Sequence, residues 1–275
     1  MFVRMRFSID LPMQNSEQFL TRFSSVARVL SESGLQRLQQ SHVCIIGLGG
    51  VGSWCAEALA RSAVGQLTLV DPDVISESNI NRQIHSLSSS LGHAKAETLK
   101  QRITLINSEC IVHTIEAAIS DESIQTLLGD HSYDFIIDAI DSVRGKAAIV
   151  VYAKQQSIPC IITGGAGGLS DINKIKQADL SKTTNDALLA KLRSQLRRHH
   201  GYSRNTSKKM QVACIYSTEQ QRYPQADGGV SFCKPGVSGL SLDCYSGYGS
   251  LVHITASFGL HAAGYCIQRL IKKSS

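Results

Sequence analysis

Val43-Cys44-Ile45-Ile46-Gly47-Leu48-Gly49-Gly50-Val51-Gly52-Ser53-Trp54-Cys55-Ala56-Glu57-Ala58-Leu59-Ala60 decides the fold. Its first four residues are apolar without interruption, as suits a short strand buried on both faces, and the glycines break the chain before a run of good helix formers. Gly47, Gly49 and Gly52 fit the pattern G-x-G-x-x-G between a strand and a helix. The first glycine permits a tight turn, the second lets a phosphate approach the backbone, and the third lets the helix pack on the strand. The helix N-terminus then offers free N–H groups to an anion. Leu67-Thr68-Leu69-Val70 reads as the next strand and ends at Asp71. That acid falls about twenty residues past the last glycine, where a carboxylate can accept from ribose hydroxyls. Gly50 is an extra glycine that does not choose among nucleotides.

Upstream, residues 17–40 are predicted helical, with Phe19, Phe23, Val26, Val29 and Leu30 at helical spacing and a break near Gly34. Downstream, helices are predicted over 93–106 and 144–156, and strands over 111–115, 135–138 and 158–162. This alternation predicts an α/β protein with a Rossmann-like, mostly parallel sheet and helices on both faces. Beyond Gly168 the pattern is less regular: a polar helix near 185–199, a strand at 212–216 and a terminal apolar helix. The chain divides into an N-terminal helical segment (1–40), a nucleotide-binding core (41–170) and a C-terminal part (171–275), read together as one compact domain.

At 275 residues and 43% hydrophobic, the chain can bury a substantial core, and its modest net charge excludes wholesale disorder. The eight cysteines form no C-x-x-C pair, and Arg4, Arg6, Asp10 and Glu17 interrupt any apolar leader. Reduced thiols and a cytoplasmic location are therefore expected. The apolar stretch 247–267 is long enough to resemble a membrane span, but His253, His261 and its Ser, Thr and Gly residues would be costly in hydrocarbon. A buried packing or dimer helix is predicted instead.

The formal charge is +6, and all of it is local. Lys191, Arg193, Arg197, Arg198, Arg204, Lys208 and Lys209 lie in one segment without an acid, and the rest of the chain is close to neutral. His199, His200 and Tyr202 stand within this run. Cations that displace counterions and a ring that stacks on a base are what binding a nucleic acid would use. A solvated loop is the alternative reading.

Asp73, Asn79, Arg82, Gln83 and Lys95 follow Asp71 in quick succession. Such density of charge beside a nucleotide loop suits a triphosphate better than a dinucleotide, because a leaving pyrophosphate develops charge that Arg and Lys can meet. Asp138 and Asp141 come at and just after a strand's carboxyl end, the ligand-binding edge of open α/β sheets. One of them can hold a Mg²⁺ that bridges phosphates, or an acid here can cap the next helix.

Taken together, Gly47-x-Gly49-Gly50-x-Gly52, Asp71-x-Asp73, Ser78-Asn79-Ile80-Asn81-Arg82-Gln83, Gly92-x-x-Lys95 and Asp138-x-x-Asp141 resemble the ThiF/MoeB-like adenylating fold. That fold is shared by ubiquitin-activating enzymes and the bacterial activators of sulfur carriers. The resemblance implies that Asp71 holds the ribose of ATP, Arg82 and Lys95 its phosphates, and Asp141 the Mg²⁺, with Asn79 and Gln83 lining the pocket. It also implies a homodimer in which an N-terminal arginine, Arg22 or Arg28, reaches the partner's ATP.

Ile140-Asp141-Ser142-Val143-Arg144-x-Lys146-Ala147-Ala148, Thr163-Gly164-Gly165-Ala166-Gly167-Gly168, Ser217-Thr218-Glu219, Tyr223-Pro224-Gln225 and Asp243-Cys244-x-Ser246-Gly247 resemble one branch, the tRNA threonylcarbamoyladenosine dehydratases. That likeness implies an ATP-dependent tRNA-modifying cyclase that adenylates the threonyl carboxylate and closes a ring with loss of AMP. Arg82, Lys95 and Asp141 would then be catalytic. The basic residues from Lys191 to Lys209 would hold tRNA. Paired zinc-ligand cysteines of the sulfur-carrier activators are missing, so no structural zinc is expected.

Cys244, in a Gly/Ser-rich loop, and Cys233 are candidate thiols for thioester or persulfide chemistry, with a cysteine-desulfurase or sulfur-acceptor protein as partner. The competing reading is that each is a small buried apolar residue. The Gly164–Gly168 run is either a substrate-facing loop or a tight crossover. Two other functions stay open: activation of a small sulfur-carrier protein, and NAD-dependent oxidoreduction.

Overall fold

The computed structural model describes residues 16–205, 207–225, 227–233 and 249–272. Helices α1 (Glu17–Leu30) and α2 (Glu32–Gln40) lead into strand β1 (His42–Ile46). Then follow α3 (Gly52–Arg61), β2 (Gln66–Val70), α4 (Lys95–Ile106), β3 (Ile111–Ile115), α5 (Ile124–Leu128), β4 (Phe135–Asp138), α6 (Val143–Gln155) and β5 (Cys160–Thr163). The C-terminal part adds β6 (Ile175–Asp179), α7 (Ala187–His199), β7 (Ala213–Ser217), a small β8–β9 pair (Tyr223–Pro224 with Val230–Ser231) and α8 (Val252–Ile271).

Seven strands form one sheet in the order β3-β2-β1-β4-β5-β7-β6. Every pairing is parallel except that of β6 with β7. The expected mostly parallel sheet is present, with an antiparallel edge strand that the sequence reading missed.

The strand sequences explain the layering. Val43, Ile45, Leu67, Leu69, Phe135, Ile137, Ile161 and Ile215 point to one face and pack with residues of α3, α4 and α8. The alternate residues Cys44, Ile46 and Ile136 meet α5 and α6, while Ile162, Cys214 and Tyr216 meet α6 and α7. Successive side chains of a strand point to opposite faces, so a continuous apolar run needs cover on both.

Helix α8 occupies the sheet face beside α3, buried through Ile254, Phe258, Ala262 and Cys266. The terminal apolar segment is thus a packing helix. No described helix is long and apolar enough to cross a membrane.

Candidate functional site

Strand β1 delivers its glycines to the carboxyl edge of the sheet. Gly47 turns at φ +89, and a Cβ on Gly52 would stand 1.8 Å from the Gly47 carbonyl oxygen, so only glycine lets α3 begin there. The Asp71 carboxylate, 5% exposed, accepts from the Leu48 N–H at 2.6 Å and the Asp73 N–H at 2.9 Å. It therefore ties the end of β2 to the glycine loop. Burial pushes the Asp71 carboxyl up, against the pull of the Lys95 charge and these two N–H donors. Lys95, the first residue of α4 and 6% exposed, donates to Asp73 at 2.7 Å and lies 3.8 Å from Asp71.

Arg82 donates to the Ser78 carbonyl and the Asn81 side chain, and its own carbonyl accepts from the Trp54 indole. With Glu77, Ser78, Asn81, Gly249 and Ser250 it lines a cleft of about 540 Å³. Asn79 is buried, and its side-chain carbonyl accepts from Ser76 N–H, shaping the turn that carries Arg82. Gln83 is buried with its amide nitrogen facing Gly49.

Two polar atoms beside the loop, Ser53 Oγ in the first turn of α3 and Gln83 Oε1, are buried without a hydrogen-bond partner. Such groups are costly to leave unmade, and they fit a polar ligand at the glycine loop. Arg82, Lys95, Asp71 and Gln83 thus converge on one edge, as a nucleotide site requires.

The two acids after β4 separate. Asp138 is fully buried, and its carboxylate pairs with the equally buried Lys146 at 3.1 Å. Burial pushes the Asp138 carboxyl up while Lys146 opposes the shift. Asp141 is exposed at the strand's end. Of the pair, Asp138 is therefore taken up by Lys146, while Asp141 stays at the exposed edge. The cap of α6 is neither acid but Ser142, whose hydroxyl accepts from Gly145 N–H. Among the described residues no cluster of His, Cys, Asp and Glu is arranged to hold a metal unaided.

Lys146 is a residue that sequence reasoning quoted without a role. An isolated lysine before Ala147-Ala148-Ile149 on a helix buried on one side was the available signal. His85 was missed outright: it is buried near Lys95 and Arg102 with both ring nitrogens unpartnered, and burial lowers its pKa to about 4.

The basic segment falls on α7 and the loop after it. Leu189, Leu192 and Leu196 bury one face of the helix, leaving Lys191 and Arg198 in solvent with Arg204, Lys208 and Lys209 beyond. Arg193, Arg197, Arg198 and Arg204 line a groove of about 420 Å³. Within it Arg193 is held by the Leu180 and Thr183 carbonyls and the Thr183 hydroxyl, and Arg197 donates to Ser203. Tyr202 corrects the expectation of a stacking ring, because it is buried in the core beneath Lys154 and no base can reach its face.

Among the candidate thiols, Cys233 is exposed and Cys244 lies outside the described residues. Burial pushes the thiols of Cys44, Cys55, Cys214 and Cys266 well up, so these behave as apolar side chains. Of the N-terminal arginines, Arg22 donates to the carbonyls of Leu105 and Ile106 at the end of α4. Arg28 donates to the Ser24 hydroxyl of its own helix.

Comparison with other proteins agrees with this geometry. The family model described as the ThiF family matches residues 23–274. The chain is 42% identical to the tRNA threonylcarbamoyladenosine dehydratase of Haemophilus influenzae, over 96% of this chain and 98% of that protein. It is 41% identical to the Escherichia coli protein of the same name, over 94% and 97% of the two chains. The E. coli enzyme solved in complex with ATP superposes with a TM-score of 0.82 at 38% identity, covering 94% of this chain and 97% of that one. The chain belongs to the ThiF family, in the branch of the tRNA threonylcarbamoyladenosine dehydratases.

Proposed function

We propose that this protein dehydrates the threonylcarbamoyladenosine beside the anticodon of tRNA, using ATP. The observation that carries the reading is the Asp71 carboxylate locking the glycine loop beside Arg82 and Lys95, in a chain alike over nearly its whole length to dehydratases of that name. The relative solved with ATP supports that choice of nucleotide over NAD.

The dehydratase reading implies the following chemistry. The substrate's carboxylate attacks the α-phosphorus of ATP, pyrophosphate leaves, and an acyl-adenylate forms. A nucleophile of the same side chain then attacks the acyl carbon, closes the ring and expels AMP. The net change is loss of one water from the nucleoside, with ATP converted to AMP and pyrophosphate.

Ring closure is intramolecular, so proximity supplies its rate and no enzyme nucleophile is required. Activation needs the protein: Arg82, Lys95 and the glycine-loop amides oppose the negative charge growing on the leaving pyrophosphate. Asp141 would help to hold a Mg²⁺ ion, which would neutralise phosphate charge. The groove of Arg193, Arg197, Arg198 and Arg204, with Lys191, Lys208 and Lys209 around it, holds tRNA phosphates.

The N-terminal helices, core and C-terminal part act as one ThiF-type unit, since strands of the last two share a single sheet. In a homodimer, we take Arg28 as the arm toward the partner's ATP, because Arg22 already donates to the carbonyls at the end of α4. The test is mass spectrometry of nucleosides from tRNA incubated with the protein and ATP. Loss of one water from the modified adenosine, matched by pyrophosphate, is expected; intact nucleoside with no pyrophosphate overturns the reading.

A further inference from the structure

The carboxyl edge carries a second loop, Gly164 to Gly168 after β5, one strand away from the Asp138–Asp141 segment. It is braced along its length. Gly164 N–H donates to the Ile215 carbonyl at 2.8 Å, Gln221 donates to the Gly167 carbonyl at 3.1 Å, and Gly168 N–H donates to the Gly249 carbonyl at 2.8 Å. Just beyond, the buried Glu219 carboxylate accepts from the Ser170 and Asp171 amides and the Ser170 hydroxyl.

Asp186 joins this loop to the basic helix. Its Oδ1 accepts from Leu189 N–H at 2.9 Å, capping α7, and its Oδ2 accepts from Gly165 N–H at 3.0 Å. The residue is 8% exposed, and burial pushes its carboxyl up while these donors and the Lys146 charge oppose the shift. A serine would cap a helix as well without burying a charge. What the carboxylate adds is a second acceptor long enough to reach the loop.

Neighbouring contacts stiffen the joint. Asn185, at φ +56, donates to the Thr218 carbonyl at 2.8 Å, and Leu189 packs on Gly164. A 13-residue helix is a rod of about 20 Å. The far end of this rod carries Arg197 and Arg198, and its near end is bonded to the loop at the catalytic edge.

We infer that Asp186 is a positioning residue that couples the grip of α7 on RNA to the shape of the Gly164–Gly168 loop, where the modified base's side chain is received. The inference rests on the proposed function and assigns that loop to the acceptor side of the site.

Asp186→Ser and Asp186→Asn test it. Serine keeps the cap but is too short for Gly165, and asparagine keeps the shape with a single acceptor oxygen, so it covers the case in which the serine variant does not fold. With ATP and tRNA, both should lower kcat by about 10- to 100-fold while changing the KM for tRNA by less than about two-fold. A mere helix cap, which both variants keep, would leave kcat in place, and that result overturns the inference.

A second readout needs no turnover. Hydrogen exchange at the Gly165–Gly168 amides should slow when tRNA binds the unsubstituted protein, and this slowing should vanish in Asp186→Ser. Equal protection in both proteins, or none in either, overturns the coupling. Absence of pyrophosphate from the unsubstituted protein would instead count against the dehydratase reading itself.

Discussion

The glycine-loop end and the basic α7 end of this molecule use charge in opposite ways. Around the glycine loop the lysines are buried and matched: Lys95 with the buried Asp71 and the exposed Asp73, Lys146 with the buried Asp138. Along α7 the leucines are buried and the cations stand in or near solvent, with Arg193 tied to the Leu180 and Thr183 carbonyls and Arg197 to that of Ser203. Buried charge acts strongly on a near group and barely responds to salt. Exposed charge reaches only about 8 Å at physiological ionic strength and weakens as salt rises. On the proposed function, chemistry and capture of the substrate therefore rest on different groups, joined at Asp186, and each can be weakened at its own end.

The largest effect belongs to the glycine-loop end. Arg82→Ala and Asp141→Ala should each lower tRNA-dependent pyrophosphate release by about 100-fold or more while leaving tRNA affinity in place. Pyrophosphate assay and filter binding on the same preparations check this, and loss of both properties together would erase the separation.

Next comes Gly52→Ala, whose methyl would meet the Gly47 carbonyl. Overpacking of this kind should cost about 1–3 kcal/mol in denaturant unfolding and take ATP binding with it. Ser194→Ala, on the exposed side of α7, should stay within about 0.5 kcal/mol.

The basic α7 end responds more gently. The double variant Arg198→Glu and Arg204→Glu should weaken tRNA binding by about ten-fold and flatten the log–log salt slope by about 2. The KM for ATP should not move. A changed ATP KM would show that the two ends communicate through more than the α7 joint.

The smallest effect lies at the sheet's other edge, far from both sites. His42 on β1 packs against His113 of β3, His131 and Tyr133, bonds Thr68 of β2, and has Asp134 nearby. Burial, then the charges of His113 and His131, lower its pKa from 6.5 to about 4. The pKa of His113 is lowered as well, by burial first and then by the charges of His131 and Lys100 on α4. The unfolded chain therefore binds more protons than the native state below pH 6.5, so this contribution to stability is whole above that pH and fades as pH falls towards 4. His42→Gln should flatten the melting temperature against pH in that window. An unchanged profile would remove the cluster from the account.

Much of the nucleotide half was legible in advance. The strand–glycine–helix unit, Asp71 at the end of β2 and the order of acids and bases after it all stand where their spacing along the chain implied. Less was legible in the C-terminal half. Strand β6 reads Ile-Lys-Gln-Ala-Asp, with no clear alternation, and becomes a strand only because β7 offers it an edge. Tyr202, met in a basic run, was expected to face a ligand and instead fills the core. Cys244 falls outside the described residues, so its role as a thiol rests on resemblance alone.

A tight turn, a close helix–strand crossing and a double-faced apolar strand are steric demands met by adjacent residues, so they can be read along the chain. The tertiary structure alone decided which acid the fold withdraws with Lys146, which arginines are tied to backbone carbonyls, and that Asp186 bridges a helix cap and a glycine loop. Coulomb energy, burial and hydrogen bonding depend on separations in space. Those separations exist only once the helices have closed on the sheet.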